Sequence, residues 1–290
     1  MTQIKLENDF ISVKINDKGA ELVSLYNKIN DTEYLWQADP KYWARNAPIL
    51  FPIVGKILDN KINIKGQEYE MGQHGFARDL THHLKSQTDD SVNYLLHDNE
   101  ITKVKYPYSF ELNTAYSLLK NGIQINYKIR NPSEEDLYFS FGNHPAFNWP
   151  LNENNPKNSY YLEFEKKETA NRIWFEDGFI TGEEKPYLKE DKIIKLHDQL
   201  FINDVLIFKN LESNSITLKS DLSNEQLKVS YGGYEYMGIW TTPGTPFVCI
   251  EPWCGIADNS NNPVDYENKL GVQKLSPGND FNCHVSYTFN

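Results

Sequence analysis

Lys120-Asn121-Gly122-Ile123-Gln124-Ile125-Asn126-Tyr127-Lys128-Ile129-Arg130 reads as a turn followed by a strand. Ile123, Ile125, Tyr127 and Ile129 fall on every second residue. An extended chain therefore puts them on one face and the intervening polar residues on the other. A helix would need apolar residues three and four apart and would scatter this set around its circumference. Asn121-Gly122 in front and Asn131-Pro132-Ser133 behind are turn chemistry.

The same alternation recurs outward in both directions. Ile11, Val13 and Ile15 show it near the start of the chain. Tyr160, Leu162 and Phe164 repeat it, then Leu227, Val229 and Tyr231, and finally Val285, Tyr287 and Phe289. Asp17-Lys18-Gly19, Gly232-Gly233 and Pro243-Gly244 supply further turns. The best helical signal is one short turn at Asp39-Pro40-Lys41-Tyr42-Trp43, with Asp39 as N-cap and Pro40 at the first helical position. Asn152 to Asn158 and Gly182 to Lys185 read as loops within the β domain, too short to be linkers. There is no repeat and no low-complexity tract. The expected architecture is all-β: a large antiparallel β-sandwich forming a single domain over residues 1–290, with its site on a concave sheet.

The 15 Phe, 18 Tyr and 6 Trp supply a core with aromatics left over for a pocket. The formal net charge of −11 repels phosphate backbones and anionic lipid surfaces, so neither nucleic acid nor membrane is an expected partner. A local basic pocket for one small anion stays compatible with that charge. Cys249, Cys254 and Cys283 form no disulfide framework and no C-x-x-C metal spacing. The amino end lacks the apolar region of a signal peptide, and no stretch reaches the roughly 18 apolar residues of a membrane span. A reduced, cytoplasmic protein is the expectation.

Of the seven histidines, two stand in unusual settings. His144 lies in Phe141-Gly142-Asn143-His144-Pro145-Ala146-Phe147-Asn148-Trp149-Pro150. It shares strand parity with Tyr138 and Ser140, and Pro145, which has no N–H, interrupts pairing just beyond it. Such a histidine faces a pocket or is satisfied by a backbone carbonyl. His74 precedes Gly75, which permits close backbone approach or an unusual φ, and Arg78 follows with a planar fork of donors. The alternative is a tight turn with an Arg78–Asp79 surface pairing. His82 and His83 read as a solvent-facing doublet, and His97 and His284 as surface strand positions.

Glu251 closes the apolar run Phe247-Val248-Cys249-Ile250 immediately before Pro252-Trp253. A carboxylate there is desolvated unless partnered, which raises its pKa into a range useful for proton transfer. The alternative is a glutamate bound to the amides of the next turn. Trp253 offers a flat apolar face. No G-x-S-x-G elbow, phosphate-binding loop or dinucleotide fingerprint is present, and no cluster has zinc-site spacing. Serine-triad hydrolysis, nucleotide chemistry and zinc chemistry thus lack support.

Taken in order, the segments Arg45-Asn46-Ala47-Pro48-Ile49-Leu50-Phe51-Pro52, His74-Gly75-Phe76-Ala77-Arg78, Asn143-His144-Pro145-Ala146-Phe147, Asn203-Asp204-Val205-Leu206-Ile207-Phe208 and Glu251-Pro252-Trp253-Cys254-Gly255 resemble the galactose mutarotase-like (aldose 1-epimerase) superfamily, in particular its LacX-type branch. The resemblance implies a twisted β-sandwich with an open sugar cleft. It implies His144 as general acid and Glu251 as general base. It further implies His74 as a second active-site histidine, Arg45 as a sugar-binding arginine and Asp204 as a carboxylate holding sugar hydroxyls.

Anomer exchange explains those residue types. The C1 hydroxyl loses a proton, the ring oxygen gains one, the ring opens to an aldehyde, C1–C2 rotates and the ring closes. An acid and a base act together on neighbouring oxygens. A protonated histidine and an ionised glutamate can coexist near neutral pH, their reference pKa values being about 6.5 and about 4.3. No metal or organic cofactor is required, since no redox step or carbanion arises.

Rival readings remain. Arg45, Lys56 and Arg78 could bind the phosphate of a hexose 6-phosphate, or be neutralised by acids such as Asp59 and Asp79. A binding module without catalysis would keep Trp149 and Trp253 but lose the acid or base. A glycoside hydrolase would pair Asp204 with Glu251 and leave His144 without a role.

Overall fold

A computed structural model describes residues 2–289. The strand Gly122–Arg130 forms as its alternation requires. It lies between Glu111–Leu119 and Asp280–Phe289, both antiparallel, with Ile125 opposite Tyr116 on one side and Val285 on the other. Lys120 and Asn121 make the turn into it. Ile123, Ile125, Tyr127 and Ile129 are all buried, and their apolar counterparts Leu112, Tyr116, Val285 and Tyr287 on the flanking strands join the same core.

This strand belongs to a 15-stranded antiparallel sheet. From Gly122–Arg130 the sheet runs through Asp280–Phe289, Gln226–Gly232, Ser215–Ser220, Tyr160–Glu176, Leu206–Lys209 and Tyr236–Trp240 to Phe247–Cys254. Phe141–Asn143 and Ile49–Leu50 complete that end. A four-stranded sheet, Gln3–Glu7, Ile11–Asn16, Leu22–Asn27 and Thr32–Glu33, contributes Leu6, Ile11, Val13 and Leu25 to the shared core. The fold is an all-β sandwich with little helix. No helix among the described residues is long and apolar enough to cross a membrane.

Asp39 caps its turn as expected, its carboxylate accepting the Lys41 N–H at 2.9 Å. Gly182 to Lys185, expected as a loop, is instead part of the strand Phe179–Lys195. That strand pairs with Tyr160–Glu176 through register shifts, Arg172 facing Lys185 and Ile173 facing Glu184. Its composition reads as loop because both faces are largely solvated, so the backbone ladder rather than apolar burial holds it. Pro186 is tolerated because the strand is an edge. The two strands of this hairpin are 17 residues each. His82 corrects a second expectation. It is 1% exposed, with Nε2 3.0 Å from the Ala77 carbonyl oxygen, because Leu80-Thr81-His82 folds inward against the Asp17 turn. Only His83 of the doublet faces solvent.

Candidate active site

Glu251 sits on the strand Phe247–Cys254, every residue of which is buried. Tyr236–Trp240 flanks it on one side, and Phe141–Asn143 with Ala146–Asn148 on the other. Alternation puts Cys249, Glu251 and Trp253 on one face. Room for the Trp253 indole comes from its neighbours: a Cβ on Gly238 would lie 2.5 Å from the ring, and one on Gly142 2.6 Å.

His144 occupies the break between Phe141–Asn143 and Ala146–Asn148 that Pro145 imposes. Its N–H donates to the Pro48 carbonyl at 3.1 Å. Trp43 stacks on the imidazole at 4.8 Å, while Trp240 and His74 meet it edge-on, each at 5.5 Å. Nε2 then lies 3.3 Å from Glu251 Oε2. Neither Glu251 oxygen accepts a well-formed hydrogen bond from the described residues, and His144 Nδ1 has no partner among them. Behind the pair, Cys249 Sγ lies within 4.8 Å of both.

Burial controls the charge of this pair. Desolvation pushes the Glu251 carboxyl well above its ordinary value, reinforced by the Asp204 carboxylate. Desolvation lowers His144 to about 3, with Arg78 and Arg45 adding to the effect. Burial thus favours a neutral imidazole beside a protonated carboxyl, where reference values would give an ion pair. The two forms hold the same number of protons and differ by one transfer across the 3.3 Å gap.

His74 adopts a left-handed backbone, φ 66°, of the kind tolerated where surrounding structure over-determines it. Its Nδ1 accepts the Gly55 N–H at 3.1 Å. The proton of the neutral ring therefore sits on Nε2, 3.2 Å from the Gln73 side-chain amide, which must turn its oxygen toward it. Burial, with His144 and the arginines nearby, holds His74 well below its ordinary pKa. It is a fixed neutral donor at the cleft wall.

Gly75 makes this placement possible. It has φ 71°, bridges Phe51, and would carry a Cβ only 2.2 Å from the Phe51 carbonyl oxygen. Gly75→Ala is expected to cost about 3 kcal/mol or more, strain and clash combined. Gly66→Ala, at φ 78° with open space around it, should cost only about 1–2 kcal/mol. Urea unfolding of both variants checks this; equal losses would mean that the Phe51 contact is unimportant.

Arg45 Nη2 pairs with Asp79 at 3.0 Å, and Arg78 Nε is 3.8 Å from the same carboxylate. Arg78 also donates to the Gln73 carbonyl at 2.7 Å. Burial and Arg45 lower the Arg78 guanidinium to about 10, so it stays charged. Glu21, which sequence reasoning missed, accepts the Asn46 and Ala47 N–H groups at 3.0 and 2.9 Å and so fixes the segment carrying Arg45. Lys56 does not pair with Asp59 as one sequence reading allowed; its ammonium donates to the Asp177 carbonyl at 3.3 Å. Asp204 has φ 61° and accepts the Val205 N–H at 2.8 Å. Arg172 secures that loop by donating to the Asn203 and Val205 carbonyls at 2.6 and 3.0 Å.

The residues singled out from sequence, His144, Glu251, Arg45, His74, Arg78, Asp204 and Trp253, all line one cleft of about 850 Å³. Trp43, Trp240, Gln73 and Trp174 line it as well and were not anticipated. Trp43 carried a signal in the capped turn that ends on it; Trp240 carried none. Trp149 lies elsewhere, fully buried, with its indole N–H on the Lys157 carbonyl at 2.8 Å. It packs the core and is not available to a ligand.

Residues 2–288 match the family model for aldose 1-epimerase. The chain belongs to the aldose 1-epimerase family. It is similar to the plasmid-borne protein LacX of Lactococcus lactis subsp. lactis, 32% identical over 284 residues that cover 94% of this chain and 95% of that one. A galactose mutarotase related enzyme from Lactobacillus acidophilus has the same fold at a TM-score of 0.94 and 35% identity, covering 100% of this chain and 97% of that one. A galactose mutarotase-like protein from Lactobacillus casei matches at 0.94 and 30%, with 100% of both chains covered. In this aldose 1-epimerase family member, the segments that carry the resemblance are far apart in sequence and converge on one cleft.

Proposed function

We propose that this protein is a mutarotase that interconverts the α and β anomers of a free aldohexose, with residues 1–290 acting as one unit. The observation that carries the reading is the 3.3 Å contact between His144 Nε2 and Glu251 Oε2 on the cleft floor, with neither carboxylate oxygen accepting a well-formed hydrogen bond from the described residues. Glu251 takes the proton from the C1 hydroxyl, and His144 gives one to the ring oxygen. The pair reaches this form by passing the carboxyl proton of Glu251 to His144, without exchange with solvent. The ring-opened aldehyde rotates about C1–C2, and the two groups exchange roles on closure. Trp253 and Trp43 offer faces to the sugar ring; His74, Asp204 and the arginines offer hydrogen bonds to its hydroxyls.

A hexose 6-phosphate is the second reading. It is supported by Arg45 and Arg78 sharing the single carboxylate of Asp79 while Lys56 lines the same cleft. The test is relaxation of freshly dissolved α-D-glucose, α-D-galactose and α-D-glucose 6-phosphate, followed by polarimetry or NMR. Faster equilibration of a free sugar is expected. Acceleration of the phosphate ester alone would replace the first substrate with the second, and acceleration of none would reject catalysis.

A further inference from the structure

We propose that His144 Nε2, Cys249 Sγ and the Glu251 carboxylate form a site for a borderline or soft divalent cation of the zinc type, whose occupancy blocks the sugar reaction. The inhibitory half rests on the proposed function; the binding half stands on geometry alone.

The three donor atoms lie within 4.8 Å of one another, and all three residues are buried. Tetrahedral zinc bonds of about 2.0–2.3 Å place neighbouring ligand atoms roughly 3.3–3.8 Å apart. The His144–Glu251 separation of 3.3 Å already satisfies this, and the sulfur needs at most about 1.5 Å of adjustment. Glu251, 1% exposed, aims two oxygens without a well-formed hydrogen bond into the same space. Cys-x-Glu spacing on one strand gives both ligands the same face, and the break at Pro145 delivers the histidine from the adjacent strand end. Chain spacing shows no motif because the ligands meet only across the sheet.

Charge supports the assignment. A thiolate, a carboxylate and a neutral imidazole carry −2, which neutralises the cation and avoids an uncompensated buried charge. The thiol proton, and the carboxyl proton where present, pass to solvent. A fourth position opens to the cleft for water. Magnesium is excluded by ligand type, since it demands near-octahedral oxygen coordination. Bound metal would hold both groups that must move protons.

Cobalt(II) added to the metal-free, full-length protein tests the site directly. One equivalent should give a near-ultraviolet thiolate-to-cobalt charge-transfer band with visible bands of tetrahedral type, and zinc should bleach them. Cys249→Ala should abolish the charge-transfer band and weaken zinc binding more than about 100-fold, since even outer-shell partners are worth roughly 10–100-fold. Cys254→Ala and Cys283→Ala should retain the band, and circular dichroism checks that each variant folds. Zinc should suppress wild-type mutarotation, EDTA should restore it, and Cys249→Ala should resist zinc. Absence of the band, or its survival in Cys249→Ala, overturns the site. Full mutarotation by zinc-loaded protein overturns the inhibition. If no sugar is turned over by metal-free protein, the proposed function fails while the cobalt spectrum still decides the site.

Discussion

His144→Asn and Glu251→Gln are each expected to slow mutarotation by roughly 10²–10⁴-fold, the usual value of one positioned acid or base. The loss should fall on kcat. Arg45, His74, Asp204 and Trp253 remain on the cleft wall, so KM should change little. The double variant should be scarcely slower than the worse single one, because the two residues share one proton and act as a unit. Gln is isosteric with Glu, Asn keeps a polar group at position 144 though it gives up the ring packed against Trp43, and neither replacement leaves a charged partner stranded beside it. Steady-state polarimetry checks the claim. A rate within about threefold of wild type for either variant would remove that residue from the reaction, since a positioned acid or base is worth far more.

Acidification is expected to destabilise the fold well before its carboxylates titrate. His82 is pushed to about 4 and His144 to about 3 by burial, and His74 is held well below its ordinary value. Unfolded, each would titrate near about 6.5. A depressed folded-state pKa means the native protein binds fewer protons than the unfolded chain. The stability is therefore present above about pH 6.5 and lost as pH falls toward the folded values. His82 alone accounts for about 3 kcal/mol by this linkage. Glu251 acts in the opposite sense: its raised pKa favours the native state below about 4.5 and loses that contribution as pH rises. Glu251→Gln should therefore be more stable than wild type at pH 7 to 8, with the advantage shrinking toward pH 4. Urea melts across this range test both statements. A wild-type midpoint unchanged between about pH 7 and 4.5 would contradict neutral burial of the histidines.

Period-2 alternation made the strand class legible because each buried strand face stamps its residues onto the sequence. It failed at Gly182 to Lys185, where the pairing partner holds a strand that buries little. It failed differently at His82, where a polar doublet gave no sign that one member turns inward. The site divides along the same line. His144 and Glu251 stood out because a proline or an apolar run disturbs the local pattern beside them. Trp240 lies in an ordinary strand, and its role follows from standing opposite Cys249 across the ladder. Glu21 was invisible because its amide partners, Asn46 and Ala47, are distant in sequence.

The cleft is assembled from two kinds of backbone. Its floor is the fully buried strand Phe247–Cys254, locked between neighbours on both sides, where a change of side chain disturbs the core and the chemistry together. One wall is the tip of the hairpin Tyr160–Glu176 and Phe179–Lys195, which brings Trp174 to Gly178 to the cleft; the second strand of that hairpin is an edge largely open to solvent. Mutational drift is therefore cheap on the wall and expensive on the floor. If the proposed function holds, a lineage can keep His144 and Glu251 unchanged while rewriting the arm that borders the cleft, and relatives with the same floor can differ in the ligand they take.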